Sequence, residues 1–154
     1  MKQFLIDFFG NRILICSLSS WLVAQVLKTL IYACNNREFR LERLFGDGGM
    51  PSCHSATVTA MAVSTGITYG VGSTEFALAL IIAIIVMHDA MGVRRETGNQ
   101  AVIINEMMQL FTQEDKKIVF HQERLKELIG HSPMQVICGC IVGIAVAIGF
   151  CTLF

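Results

Sequence analysis

Long stretches of this chain carry almost no charge, and they restrict the folds that the chain can adopt. Residues 13–34 contain only one charged residue, Lys28, and residues 76–92 contain only Asp89. Residues 133–154 contain none. Since a helix needs about 20 apolar residues to cross the hydrocarbon core of a bilayer, each of these three stretches is predicted to be a membrane helix.

A fourth apolar stretch, residues 53–71, is rich in small residues. They recur at a spacing of four: Ala56 and Ala60, then Ala62, Gly66 and Gly70. Small residues at this spacing let membrane helices approach closely, within one chain or between two. We therefore predict an all-α integral membrane bundle of about four helices, formed by residues 1–154 as one domain.

The composition agrees with a membrane protein. Hydrophobic residues make up 53% of the chain and charged residues 16%, against roughly 25% charged residues in soluble domains. The formal net charge of zero gives no indication of nucleic-acid binding. The six cysteines lack the spacing of a zinc site, so we interpret them as reduced, space-filling residues and expect no metal and no cofactor.

The distribution of basic residues predicts the orientation of the bundle. Four crossings place loops 35–52 and 93–131 on one side of the membrane, and these loops hold nine Lys and Arg residues. The other side holds Lys2 and Arg12. By the positive-inside rule, the chain is predicted to be a multi-pass protein of the cell membrane with both loops in the cytoplasm.

The longer loop has helical periodicity of its own. Residues 101–111 are predicted to form a short apolar helix. A second helix is predicted from the apolar residues that fit one helical face: Ile118, Leu125, Leu128 and Ile129.

Three polar segments fall at the loop side of the predicted membrane helices. They are residues 48–55, which enter the second helix, residues 88–95, which leave the third, and residues 130–133, which enter the fourth. Lys28 lies about two turns before the end of the first helix, at the same end. The loop topology therefore brings all of these groups to one level of the membrane.

Two of these segments suit the binding of a phosphate. Pro51 fits the first turn of the second helix, and Pro133 fits that of the fourth, with Ser132 as its cap. The free N–H groups and the positive dipole at each helix start attract an anion. Gly48 and Gly49 let the backbone approach a ligand closely.

The charged and hydroxyl side chains nearby could complete that site. Lys28, Arg94 and Arg95 could neutralise phosphate oxygens, and Ser52 and Ser55 are further candidates for contact with phosphate. The alternative is that both arginines only set the topology, and that Lys28 extends to the membrane surface.

The segments also carry groups for proton transfer and nucleophilic attack. His54 and His131 could serve as general acid and nucleophile, although interfacial histidines are also common as satisfied polar residues. Asp89 is an ionisable residue within the membrane and hence a functional candidate, or it could pair with Arg94. His88 is interpreted as structural.

Together these segments resemble the divergent type-2 phosphatidic acid phosphatase family, which is related to acid phosphatases and vanadium-dependent haloperoxidases. The similarity extends over nearly the whole chain, with the motifs in the expected order: GGMPSCHSA at 48–56, DAMGVRR at 89–95, GNQA at 98–101, Asn105, and LKELIGHSP at 125–133.

The resemblance implies a role for each matching residue. His131 would attack phosphorus and form a phosphohistidine, His54 in the sequence PSCH would protonate the leaving group, and Lys28 would correspond to the lysine of the first motif. Gln135 occupies the position of an acid that orients the nucleophile. A neutral amide can also accept a hydrogen bond from a histidine, and Asp89 is an alternative partner in space.

One arginine of the superfamily pattern has no match at its usual place. Six residues before the nucleophile, this chain has Leu125. Arg124, which is adjacent, or Arg94 or Arg95 could take the role of that arginine.

Two functions follow as hypotheses. The first is a hydrolase of lipid metabolism: a phosphatase that removes phosphate or pyrophosphate from a lipid at the cytoplasmic face. The alternative is a catalytically silent membrane protein that retains the phosphate pocket and binds a lipid, transports it or serves as a regulatory partner. Four helices are few to enclose a lipid, so a homodimer could complete the site.

Overall fold

The computed structural model describes residues 1–38, 49–114, 125 and 130–153. Within these ranges the chain forms helices and no strands, in the order α1 (Lys2–Gly10), α2 (Arg12–Asn36), α3 (Cys53–Tyr69), α4 (Thr74–Met91), α5 (Val93–Glu114) and α6 (Pro133–Leu153). Several residues used in the sequence predictions lie outside the described residues: Gly48, Ile118, Arg124, Leu128, Ile129 and Phe154.

The predicted all-α membrane bundle is confirmed. Three helical stretches are long and apolar enough to cross a membrane: Arg12–Asn36, Thr74–Leu110 and Pro133–Leu153. Large apolar side chains cover their outer surfaces, including Ile81 and Ile85 of α4, which are 55% and 61% exposed. Such a continuous apolar surface fits contact with lipid rather than with water.

The fourth predicted membrane helix, α3, differs from the other three. It has 17 residues, and thus a length of about 25 Å. It packs against α2, α4 and α6, so its neighbours cover much of its surface. This central position explains how a short helix with many Ser and Thr residues fits inside the bundle.

Small residues form the contacts around α3. Ala56 and Ala60 are completely buried, and Ala62 is nearly so. A Cβ atom added at Gly143 of α6 would lie 2.5 Å from the carbonyl oxygen of Ala56, too close for any side chain. Ala56 and Ala60 therefore serve packing within one chain, where Gly143 of α6 leaves the space for their close approach.

The ends of the helices follow local capping rules. Ser73 caps α4 by accepting a hydrogen bond from the N–H of Phe76 at 3.1 Å. At the other end of α4, the N–H of Gly92 donates to the carbonyl of His88 at 2.9 Å. α5 begins directly afterwards, so the helix predicted over residues 101–111 is one part of a longer helix.

α1 is a helix that the sequence analysis did not predict. None of its residues is buried, and Asn11 ends it. The side chain of Asn11 then accepts a hydrogen bond from the N–H of Leu14 at 3.1 Å and caps α2.

Candidate functional site at one end of the bundle

Three helix ends meet at the loop side of the bundle, which we call the histidine end. The N–H of Ser52, before α3, donates to the carbonyl of Gln135 in α6 at 3.0 Å. The N–H of His131, before α6, donates to the carbonyl of Ala90 near the end of α4 at 2.9 Å. These two hydrogen bonds tie together the starts of α3 and α6 and the end of α4, at one level of the bundle, as the loop topology predicts.

His131 is held in a defined orientation. It is only 3% exposed, and its Nδ1 lies 3.0 Å from Oε1 of Gln135. The same Oε1 accepts the backbone N–H of Ser132 at 3.1 Å. Because a backbone N–H can only donate, the atom facing it must be the amide oxygen and not the amide nitrogen.

The protonation of the neutral His131 ring follows from this contact. An amide oxygen has no proton to give, so Nδ1 of His131 must carry the proton and donate it. In the neutral imidazole, Nε2 then has the lone pair. Gln135 thus selects the tautomer that a nucleophilic Nε2 requires, without contributing a charge.

His54 lies beside this ring. It is half-buried in the first turn of α3, and its ring centroid lies 5.9 Å from that of His131, with the planes tilted by 57°. Cys53 Sγ lies 3.8 Å from His54 Nδ1. A group bound at one imidazole would therefore be within reach of the other.

Lys28 brings a cation to the same end from α2. It is 4% exposed, and its Nζ lies 3.9 Å from Cys53 Sγ. Gly49 has a φ of +88°, and a Cβ there would lie 3.3 Å from Cγ of Lys28. Gly49 therefore provides a left-handed turn and leaves room for the lysine stem, which explains why a glycine suits this position.

The N-termini of α3 and α6 lie at the histidine end, and each is capped by a serine. Ser132 accepts the N–H of Gln135 at 3.4 Å, and Pro133 is the first residue of α6, as predicted. The prediction for Pro51 was wrong. Ser52 is the N-cap of α3, so Pro51 lies before the helix and not in its first turn.

The hydroxyl groups of Ser52 and Ser55 are engaged within the protein. Both residues are completely buried. The Ser52 hydroxyl accepts the N–H of Ser55 at 3.4 Å and the hydroxyl of Ser55 at 3.0 Å. The hydroxyl groups therefore cap the start of α3.

The remaining predicted residues follow the end of α4. Asp89 is half-buried and precedes Ala90, whose carbonyl binds the N–H of His131. Arg94 and Arg95 occupy the first turn of α5, where Arg95 is exposed. The structure therefore brings Lys28, His54, His131 and Gln135 together, and places Arg95 at the surface of the same end.

Asn105 of α5 is a residue to which the sequence analysis assigned no role. It is 2% exposed. Its side-chain N–H donates to the carbonyl of Leu125 at 3.0 Å, and its side-chain oxygen accepts the N–H of Leu125 at 3.1 Å. One amide thus holds the backbone six residues before His131. The available signal was its place among the motif residues of the family resemblance.

Among the residues that the structure describes, no group of three or more His, Cys, Asp or Glu side chains is arranged to hold a metal ion.

The fold and this site define a multi-pass, all-α membrane protein that gathers two histidines and a buried lysine at one end of its bundle. The model of the Divergent PAP2 family matches residues 9–146. The chain belongs to this family, which confirms the resemblance seen in its motifs.

One similar protein is the uncharacterized membrane protein YuiD of Bacillus subtilis (strain 168). It is 38% identical over 146 residues, which cover 90% of this chain and 92% of that protein. No solved structure matches the chain.

Proposed function

We propose that the protein hydrolyses a phosphate or pyrophosphate group carried by a membrane lipid, with His131 as the nucleophile and His54 as the general acid. The observation that carries this proposal is the contact between His131 and Gln135. It sets the proton on Nδ1 and leaves the lone pair on Nε2, beside a second imidazole that can deliver a proton.

The first step forms a phosphohistidine. The Nε2 lone pair of His131 attacks phosphorus, the bond between phosphorus and the lipid oxygen breaks, and protonated His54 gives its proton to that oxygen. Lys28 lies at the same end, and its positive charge would stabilise the charge that develops on the phosphoryl oxygens. Arg94 and Arg95 are proposed to supply further positive charge.

The second step restores the enzyme. His54, now neutral, accepts a proton from water as that water attacks the phosphohistidine. The bond between phosphorus and Nε2 breaks, inorganic phosphate leaves, and its departure returns the lone pair to His131. His54 is protonated again and both histidines have their starting forms.

The membrane setting supports a lipid substrate. The histidine end lies at the termini of apolar helices, so a phosphate bound there sits at the level of lipid headgroups. By the positive-inside rule, the basic residues of loops 35–52 and 93–131 support a cytoplasmic position for this end. The proposed substrates are therefore phosphorylated lipids of the cytoplasmic leaflet.

The proposal is tested by phosphate release from the purified protein in detergent. The substrate panel contains phosphatidic acid, phosphatidylglycerophosphate, and polyprenyl monophosphate and diphosphate. We expect release from at least one substrate, and we expect His131→Ala and His54→Ala to lower it by about 10² to 10⁴-fold. His88→Ala is the matched control, because His88 is an exposed histidine near the end of α4, and it should retain full activity.

The result separates hydrolysis from binding. Full activity of His131→Ala would contradict the mechanism. A folded wild-type protein that binds these lipids and releases no phosphate would contradict the hydrolysis, and would favour a pocket that binds a lipid phosphate without breaking its ester.

A further inference from the structure

We propose a second lipid site at the end of the bundle opposite the histidine end. Its ligand is a phospholipid whose headgroup carries both a phosphate and a primary ammonium group, such as phosphatidylethanolamine. This inference is independent of the proposed hydrolysis, because it uses none of the residues of the histidine end.

A cavity of about 510 Å³ lies between α1, the start of α2 and the end of α3. Its walls include Ile6 and Asp7 of α1, Arg12 of α2, and Thr68 and Tyr69 of α3. The cavity therefore offers one acidic and one basic side chain, two hydroxyl groups and an apolar surface. This combination suits an amphipathic, dipolar ligand.

The two charged side chains of the cavity do not pair with each other. Asp7 and Arg12 both line it, yet these two described residues form no ion pair. Asp7 Oδ1 accepts a hydrogen bond from Nε2 of Gln3 at 2.9 Å, which leaves the carboxylate further acceptor capacity. A headgroup with a phosphate and an ammonium group could bind Arg12 through the first and Asp7 through the second.

A second cavity adjoins the first. It has a volume of about 250 Å³ and shares Arg12 and Thr68 with the first cavity. Its other walls come from α3 and α6 and include Ile67 and Phe150. Because Arg12 lines both cavities, the arrangement fits a phosphate at Arg12 with the start of an acyl chain against Ile67 and Phe150.

The faces of α1 place the larger cavity at the membrane surface. Ile6, Asp7 and Gly10 face the cavity. The opposite face carries Phe4 and Phe9, which are 68% and 67% exposed. A short helix with exposed phenylalanines on one side and a charged residue on the other suits a position in the plane of the membrane interface. The cavity beside this helix is then at the depth of the headgroups.

The site is tested by native mass spectrometry of the purified full-length protein with added phosphatidylethanolamine, phosphatidylcholine or phosphatidylglycerol. We expect phosphatidylethanolamine to bind best, because choline has no N–H to donate and phosphatidylglycerol has no ammonium group. Arg12→Gln should weaken the binding of phosphatidylethanolamine and of phosphatidylglycerol alike, by about tenfold. Asp7→Asn should weaken the binding of phosphatidylethanolamine and leave that of phosphatidylglycerol unchanged.

Lys2→Gln is the matched control, because it makes the same charge change as Arg12→Gln on the same end of the chain but does not line the cavity. It should leave binding unchanged, and circular dichroism would verify that all variants are folded. If Arg12→Gln bound phosphatidylethanolamine as tightly as Lys2→Gln does, the proposed site would be overturned. Binding of phosphatidylglycerol as tight as that of phosphatidylethanolamine, with no effect of Asp7→Asn, would overturn the dipolar headgroup.

Discussion

At the scale of single residues, the chemistry of this protein depends on an amide in the place of an acid. Gln135 accepts hydrogen bonds from the His131 ring and from the backbone of Ser132 through one oxygen atom. The backbone N–H fixes the orientation of the amide, and the amide fixes the tautomer of the ring. A neutral residue can therefore perform the orienting part of the role, although it lacks the negative charge that would stabilise a cationic imidazole.

Substitution of Gln135 separates these two contributions. Gln135→Ala removes the acceptor, so we expect phosphate release to fall by about a hundredfold, less than the roughly 10⁴-fold loss known when a serine protease loses its charged orienting partner. Gln135→Glu keeps an acceptor and adds a charge, so it should retain or exceed wild-type activity. Initial rates on the best lipid substrate would measure both. A Gln135→Ala variant as active as wild type would show that the contact does not orient the nucleophile.

The sequence predicted most of the residues at this end but not their contacts. The positions of His54, His131 and Lys28 follow from topology, because helix ends on one side of a membrane share one level. The tautomer of His131 could not be predicted, because it depends on a backbone N–H that points at the amide oxygen. The engagement of Ser52 and Ser55 in a cap likewise depends on distances of a few tenths of an ångström.

At the scale of helices, the bundle is built on close contact between α3 and α6. A Cβ at Gly143 would lie 2.9 Å from Cβ of Thr59 as well as close to the backbone of Ala56. Gly139, one turn earlier, faces the same helix, and a Cβ there would meet the carbonyl of Ser52. Since Ser52 and Gln135 are hydrogen-bonded just above, this contact also sets the distance between the two helix starts at the histidine end.

Enlarging one of these glycines should force the helices apart. We expect Gly143→Ala to lower the free energy of unfolding by about 1–3 kcal/mol, the usual cost of overpacking, and hence to lower the Tm in detergent. Gly149→Ala is the matched control on the same helix, because nothing lies within 4 Å of a Cβ at Gly149. If both variants melted at the same temperature, the close packing of α3 and α6 would not contribute to stability.

The two hydrogen bonds between the Asn105 side chain and the backbone of Leu125 link α5 to the chain before His131. In Asn105→Ala, the N–H and carbonyl of Leu125 lose both partners, so we expect hydrogen exchange at the Leu125 amide to accelerate by about tenfold. Asn99→Ala is the control, because Asn99 is exposed and its side chain donates to Glu96 within α5. Unchanged exchange in Asn105→Ala would show that other contacts hold this segment.

The sequence predicted some of these helices more accurately than others. Stretches with at most one charged residue defined α2, α4 and α6 well, since a helix that crosses a membrane must be largely apolar. The length of α5 was underestimated, because its polar first turns read as a loop and not as the continuation of α4. α1 was missed because a helix of nine residues with an exposed aromatic face has no core-facing stripe.

At the scale of the whole molecule, the two ends of one bundle carry different proposed chemistry. The histidine end holds the groups proposed for hydrolysis, and the opposite end holds a cavity beside an interfacial helix. Small residues between the helices let them pack closely, and the apolar outer surface of the bundle fits contact with lipid. The orientation of this bundle decides which leaflet supplies the substrate.

Cysteine labelling tests that orientation. Gly72→Cys, in the exposed link between α3 and α4, should react with a membrane-impermeant maleimide on intact cells when no other cysteine is present. Cys34, exposed near the end of α2, should react only after permeabilisation when it is the sole cysteine. The reverse pattern would place the histidine end outside the cytoplasm.

The central claim is that His131 carries the phosphoryl group during turnover. The most direct measurement is rapid acid-free quenching of a reaction with radiolabelled lipid phosphate, followed by peptide analysis for an alkali-stable, acid-labile phosphohistidine. The account predicts label on His131 in the wild-type protein, with no label in His131→Ala. Phosphate release without labelled histidine, or label that persists in His131→Ala, would contradict it.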